Sequence, residues 1–314
     1  GRTTPEKSLP IFALYVTFFP QLVAGPIERS TNLLSQFYNH YSFDRQRFVS
    51  GLQQMLWGFF KKVVIADRLA ILVNRVYGNP EDYGGVTLLL ATYFFAFQIY
   101  CDFSGYSDIA IGSARIMGIN LMENFRRPYF SKSINEFWHR WHISLSTWFR
   151  DYLYIPLGGN RVSRTRWYFN LFFTFLVSEL WHGANWNFVA WGAYYGVILA
   201  LEASGGAKLL KNLPRLLQHL YTMALVTAGW LLFKFSDLYT LKLYVKTLIG
   251  RNGWLGLENL RSMNLLMYVP FIVLGILVSL PVVETACQRL LKVSPKFQLL
   301  LDACLLALFV ISIA

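Results

Sequence analysis

The sequence predicts an all-α, multi-pass membrane protein, and three observations carry that prediction. Of the 314 residues, 55% are apolar and only 15% charged, where a soluble domain has about a quarter charged. Lipid excludes charged side chains, so the charge deficit weighs more than the apolar excess. Apolar runs holding one charge or none recur along the whole chain, more often than a single soluble core needs. The alternating strands of a transmembrane barrel are missing from the sequence. Helices are then the remaining way to satisfy backbone N–H and C=O groups in lipid.

The segments follow in order. Residues 9–23 are apolar but short and contain Pro20, so they are expected to enter the membrane without a simple crossing. Residues 49–65 have helical period and carry Lys61 and Lys62 near their end. Residues 87–100 are strongly apolar and run into Asp102, Gly105 and Asp108, then a further apolar stretch to Ile119. Ser104 and Gly105 are expected to break the helix there, leaving the two aspartates to line a tunnel or to pair with basic side chains. Residues 168–181 and 188–201 read as two more helices. Residues 216–235 and 265–283 are the best ordinary spans, and 299–314 begins another that Asp302 interrupts. The chain reads as one membrane-embedded domain over 1–314. Its start at Gly1 and its end at Ala314 inside an apolar run lead us to expect a fragment lacking segments at both ends.

The net charge is +12. In a membrane protein, basic loops sit against anionic headgroups on the cytoplasmic side. The alternative, nucleic-acid binding, needs a basic patch on a soluble fold and is set aside. The densest basic stretch runs from Arg126 to Arg166, where Arg127, Lys132, Arg140, Arg150, Arg161 and Arg164 face only Glu136 and Asp151. It is expected on the cytoplasmic side. The loops at 202–215, 234–261 and 284–296 are also net positive, so simple alternation does not set their sides. Cys101, Cys287 and Cys304 fit neither a disulfide framework nor a metal site. They are expected to be small core residues, and no metal site is expected.

Two segments carry chemistry. In the stretch from Asn135 to Arg161, helical spacing puts Trp138, Trp141, Leu145, Trp148, Phe149 and Tyr152 on one face. Arg140, Ser144, Thr147 and Asp151 fall on the other. This predicts one basic, amphipathic helix near the membrane boundary, capped by Ser133 or Asn135 and ended by Pro156 with Gly158 and Gly159. His142 lies at the edge of the aromatic face and His139 further toward the polar side. An interfacial helix with tryptophan anchors and no chemistry explains the same pattern.

The second segment is SELWHGANWNFVAWG, from Ser178 to Gly192. An ionisable residue at membrane depth is costly, which makes His182 a functional candidate. Gly183 beside it allows close approach of a backbone or substrate. The bland alternative is a core histidine bonded to Glu179 or to a carbonyl. A neutral imidazole suits acyl transfer: it takes the proton of a weak hydroxyl nucleophile as that attacks a thioester, then returns it to the leaving thiolate. A second imidazole such as His142 orients the acceptor or stabilises developing negative charge. There is no G-x-S-x-G elbow, no H-E-x-x-H helix and no P-loop. His40 and Asp44 lack the setting of a soluble acyltransferase pair.

Four strings resemble the membrane-bound O-acyltransferase (MBOAT) family, in the bacterial branch that serves alginate O-acetylation. They are FFPQLVAGPIER (18–29), QIYCDFSGYSDIAIG (98–112), RPYFSKSINEFWHRWHISLSTWFRDYLYIPLGGNR (127–161) and LWHGANWNFVAWG (180–192). The likeness covers about residues 18–202; beyond that only hydrophobicity matches. It implies a helical bundle around a central funnel or tunnel, with His182 as the catalytic histidine and His142 as the second functional position. Trp181, Gly183, Asn185, Trp141, Arg140 and Asp102 are the candidates for lining the substrate tunnel. No role is carried onto His139. The resemblance further implies a bacterial inner-membrane protein with no bound cofactor. It would pass an acyl group, expected to be acetyl from acetyl-CoA, toward an extracytoplasmic polysaccharide, where a separate periplasmic acetyltransferase is the expected partner beside membrane lipid. The basic stretch either attracts coenzyme A phosphates or sets topology. Lipid, sterol or teichoic-acid acylation is the alternative within the family. Outside it stand a small-solute transporter using Asp102, Asp108, Glu179 and His182, and a non-catalytic scaffold.

Overall fold

Residue periodicity becomes helix throughout the computed structural model, which describes residues 5–254, 265–280, 299, 300, 302–304, 306, 307 and 310. Among the described residues every regular element is helical. Two of these helices, Gly85–Ile116 and Arg215–Lys234, are long and apolar enough to cross a membrane.

α1 (Leu9–Thr17) ends where Pro20 removes a backbone donor, and a short 3-10 turn, Phe19–Gln21, follows. α2 is Ser30–Gln36. α3 (Arg45–Phe59) starts at Asp44, whose side chain accepts the Arg47 N–H at 3.0 Å. It passes through a π-helical turn, Phe60–Ala66, into α4 (Asp67–Gly78). The wider turn carries Lys61 inward, where it is buried, and leaves Lys62 half exposed.

α5 (Gly85–Ile116) is one uninterrupted helix of 32 residues, roughly 48 Å at 1.5 Å per residue. The expected break at Ser104 and Gly105 does not occur. Gly105 is there for contact, because a Cβ on it would lie 2.7 Å from the Gly58 carbonyl oxygen of α3. Asp102 and Asp108 are both paired. Lys61 Nζ is 2.6 Å from Asp108 and donates to Ser104 Oγ at 2.9 Å. Lys62 Nζ is 2.5 Å from Asp102. Lys61→Ala therefore leaves Asp108 facing an emptied site and is expected to cost about 2–3 kcal/mol. The double variant Lys61→Met/Asp108→Leu removes both charges and is expected to recover most of that in a detergent melting curve; a double variant no better than the single excludes the pair as the cause.

α6 (Ile134–Trp138) and α7 (Ile143–Phe149) follow, with a π-helical turn, Arg150–Tyr154, after α7. α8 (Arg164–Leu180) and α9 (Trp186–Leu201) form an antiparallel hairpin. Gly192 and Gly196 let it close, since a Cβ on either would lie about 3 Å from the backbone at Leu176 or Phe172. α10 is Ala207–Lys211 and α11 is Arg215–Lys234, the better realised of the two expected late spans. α12 is Leu238–Leu248. The other late span is shorter than expected where described: a 3-10 turn, Leu265–Met267, and then α13 (Val269–Ser279). Residues 281–283 of that segment, Cys287 and the loop 284–296 lie outside the described residues. Cys101 is buried as expected, but Cys304 is exposed.

The core is aromatic. Tyr129, Phe137, Trp138, Trp141, Trp191, Tyr195 and Trp230 are all buried and meet by edge-to-face, tilted and stacked contacts, such as Trp141 to Trp230 at 4.8 Å between ring centroids. This cluster joins α6, α9 and α11 to α5 and fixes the walls of the site.

Candidate active site

The segment expected to be one amphipathic helix is two helices with a sharp turn between them. Ser133 caps α6 by accepting the Glu136 N–H at 3.0 Å. The Glu202 carboxylate accepts the Ile134 and Asn135 N–H groups at 2.8 and 3.0 Å, so the end of α9 holds the start of α6. α6 stops at Trp138, and the chain turns through His139–His142. His142 sits in the left-handed region at φ 46° and ψ 52°, a conformation that costs a non-glycine residue about 1–3 kcal/mol. The helical wheel fails from there on, because it assumes a single axis. Ser144, expected on the polar face, is fully buried, while Trp148 and Tyr152, expected on the aromatic face with the buried Trp138 and Trp141, are exposed.

What holds this turn is Asn124, a residue that nothing in the local sequence singles out. Its backbone carbonyl accepts the Ile143 N–H at 3.0 Å. Its side-chain Oδ1 accepts the Ser144 N–H at 3.2 Å and the Ser144 hydroxyl at 2.9 Å. It also lies 3.1 Å from His142 Nδ1. Asn124 thus caps α7 from a distant loop, supplying the partners that first-turn N–H groups lack.

His182 sits in the turn between α8 and α9, and its backbone N–H donates to the Glu179 carbonyl at 3.0 Å. Four rings surround the imidazole, those of Trp181, Phe188, Trp191 and Phe233, with centroids 5.4 to 6.2 Å away. Nε2 is 3.6 Å from Glu179 Oε2, a buried oxygen with no hydrogen-bond partner. That separation exceeds a hydrogen bond, so the imidazole is not hydrogen-bonded to the Glu179 carboxylate. Its side chain keeps 24% of its surface accessible.

That surface opens into a cavity of about 950 Å³, which His182, His142 and Trp141 all line. Phe103, Trp138, Trp191, Trp230 and Phe233 supply apolar wall; Lys132, Arg150 and Lys211 supply positive charge. His139, to which no role was assigned, lines it as well. Burial, together with the charge of His182, pushes the His142 imidazole down to about 3, and burial pushes His182 down to about 4. Both rings are therefore neutral at physiological pH, and each offers one nitrogen lone pair.

The other expected tunnel residues do not line this cavity. Arg140 is paired with Glu136 at 2.6 Å, and Asp102 is held by Lys62. Trp181 is 59% exposed. Asn185 is the N-cap of α9. Gly183 borders the site, but its role is packing: a Cβ there would meet the Phe188 ring at 2.8 Å. None of these five is among the side chains lining the cavity. Among the described residues, no three His, Cys, Asp or Glu side chains gather as a metal site.

The model of the membrane-bound O-acyltransferase family matches residues 6–237. A probable alginate O-acetylase AlgI of Pseudomonas aeruginosa is 46% identical over 238 residues, which is 76% of this chain and 45% of that protein. A peptidoglycan O-acetyltransferase of Helicobacter pylori is 37% identical over 247 residues, 77% of this chain and 47% of its own length. A teichoic acid D-alanyltransferase of Bacillus subtilis is 29% identical over 215 residues, 62% and 52% of the two chains. The chain spans about half the length of these relatives.

Proposed function

The chain belongs to the membrane-bound O-acyltransferase family, and from that premise we propose that it is the catalytic part of an inner-membrane, multi-pass O-acetyltransferase. It takes an acetyl group from a cytoplasmic thioester, acetyl-CoA, and passes it toward an extracytoplasmic polysaccharide through a periplasmic transferase. The observation that supports this most is that two neutral imidazoles line one aromatic-walled cavity, of a size suited to a small-molecule substrate. The alginate and peptidoglycan O-acetyltransferases among its relatives favour a polysaccharide over a lipid or teichoic-acid acceptor.

In this mechanism His182 takes the proton from the acceptor hydroxyl. The oxygen attacks the thioester carbonyl, the C–S bond breaks, and the thiolate receives the proton from the imidazolium. Burial favours that return, because it disfavours the charged ring. His142 either orients the acceptor or meets the negative charge that develops on the carbonyl oxygen. Lys132, Arg150 and Lys211 would receive the phosphates of coenzyme A. A solute pathway through Asp102 and Asp108 finds less support, since Lys62 and Lys61 neutralise both.

The test is to incubate membranes holding the full-length protein with acetyl-CoA labelled in the acetyl group. Label is expected to leave the thioester and reach polysaccharide when the periplasmic transferase is supplied. Label that accumulates in lipid instead would move the acceptor class, and uptake of a solute with no acyl donor present would overturn the enzymatic function.

A further inference from the structure

Resting on the acyl-transfer function above, we propose that Asn124 is a positioning residue that locks neutral His142 in its Nδ1–H tautomer. His142 then meets the cavity through the Nε2 lone pair and serves the hydroxyl acceptor rather than the carbonyl oxygen.

Asn124 is 1% exposed, so every polar atom of its side chain needs a protein partner. The side-chain atom near α7 meets the Ser144 backbone N–H at 3.2 Å. A backbone N–H only donates, so that atom is the carbonyl oxygen. The amide nitrogen on the other side donates to Ser107 Oγ of α5 at 3.1 Å, consistent with the same orientation. A carbonyl oxygen only accepts, so His142 Nδ1, 3.1 Å from it, must carry the proton. In the neutral ring Nε2 is then bare. Among the described residues no hydrogen bond reaches Nε2, and His142 lines the cavity. The Phe103 ring packs edge-on at 4.7 Å between centroids and restrains rotation of the imidazole.

The consequence is chemical. A bare nitrogen accepts a hydrogen bond and cannot give one. It holds the acceptor through a neighbouring O–H or N–H, since the reacting hydroxyl gives its own proton to His182, and it offers nothing to an oxyanion. The ring stays neutral, since burial holds it down to about 3, and among the described residues the ionisable group whose charge bears on it is His182. Protonating Nε2 would turn the same ring into a donor, but only far below physiological pH.

The tautomer is directly measurable. In the full-length protein labelled with ¹⁵N-histidine in nanodiscs, the His142 signals are assigned by their loss in His142→Asn. At pH 7 they are expected to show a protonated Nδ1 and a bare Nε2; a protonated Nε2 overturns the proposal. Asn124→Leu is expected to lower kcat of acyl transfer about tenfold or more, since a wrong tautomer at a catalytic imidazole costs up to about 10⁴-fold. KM for the acyl donor is expected to stay within about twofold, because no donor contact is removed. Asn124→Asp keeps the accepting oxygen, and the Ser107 hydroxyl turns round to donate, so most of the rate is expected to return. An Asp variant as slow as the Leu variant, or a Leu variant as fast as wild type, overturns the proposal. Should Asn124→Leu not fold, the spectrum and the Asp variant decide. Full activity in His142→Ala instead defeats the acyl-transfer role of His142 itself, and the spectrum separates that failure from failure of the lock.

Discussion

His182→Ala is expected to remove acyl transfer, by a factor of about 10²–10⁴ or more, while the protein still inserts and melts close to wild type. The rate falls because a hydroxyl is a poor nucleophile at neutral pH, and the other imidazole on the cavity, His142, is tied to Asn124 and holds the acceptor rather than taking its proton. Glu179 is the nearest carboxylate, but it is buried. Its Oε2 faces the His182 ring from 3.6 Å, so deleting the imidazole leaves it set back from the substrate. Stability is expected to change little. The ring is part of a cavity wall with 24% of its surface open, and Phe188, Trp191 and Phe233 still contact one another across the space it leaves. The measurement is label transfer from acetyl-CoA beside a thermal melt of the same preparation. Undiminished transfer in a folded His182→Ala protein removes the proposed chemistry; a lost melting transition assigns the defect to folding. His182→Gln separates the two further, since it fills similar volume and keeps a hydrogen-bonding group without a basic nitrogen.

The two candidate histidines were legible in the sequence, and pairing across the chain was not. His142 and His182 were readable because each stands in a short string whose residue types are unusual for a lipid-facing segment. The long apolar helices were readable because their signal is periodic and continuous. Lys61 with Asp108, and Lys62 with Asp102, were readable only as charges needing partners, because one sequence does not say which segments face each other. The turn at His139–His142 was hidden by its own composition. Tryptophans at helical spacing fit a wheel whether or not the chain stays on one axis, and the left-handed residue that breaks the axis is a histidine, not a glycine. Asn124 left no trace, since its three acceptor contacts belong to residues 18 to 20 positions further on. Gly183 was readable as a place of close approach, but what approaches is the Phe188 ring.

The same absence of pairing information hid a structural sensitivity where α3 crosses α5. Gly51 faces Gly112, and Gly58 faces Gly105, each pair with the two backbones in contact. The spacing is seven residues on both helices, two turns, so the pairs recur along one seam. A Cβ on Gly58 would lie 2.5 Å from the Gly105 carbonyl oxygen and 2.9 Å from the Ile109 nitrogen. Backbone atoms inside a helix cannot step aside as a flexible side chain can. Small residues at such crossings let helices approach closely in lipid, where packing replaces the hydrophobic effect between them. Gly58→Val is therefore expected to destabilise by about 3 kcal/mol, the upper end of overpacking costs. It is also expected to lower acyl transfer, because Phe103 of α5 lines the cavity and moves with that helix. Gly78→Ala is the control: nothing lies within 4 Å of a Cβ there, and its backbone is not left-handed. That change is expected to be neutral or stabilising by up to about 1 kcal/mol. Melting of the two variants in the same detergent decides the matter. Gly58→Val melting alongside Gly78→Ala would mean that α3 and α5 are not in backbone contact, and the buried placement of Lys61 against Asp108, which depends on that approach, would fall with it.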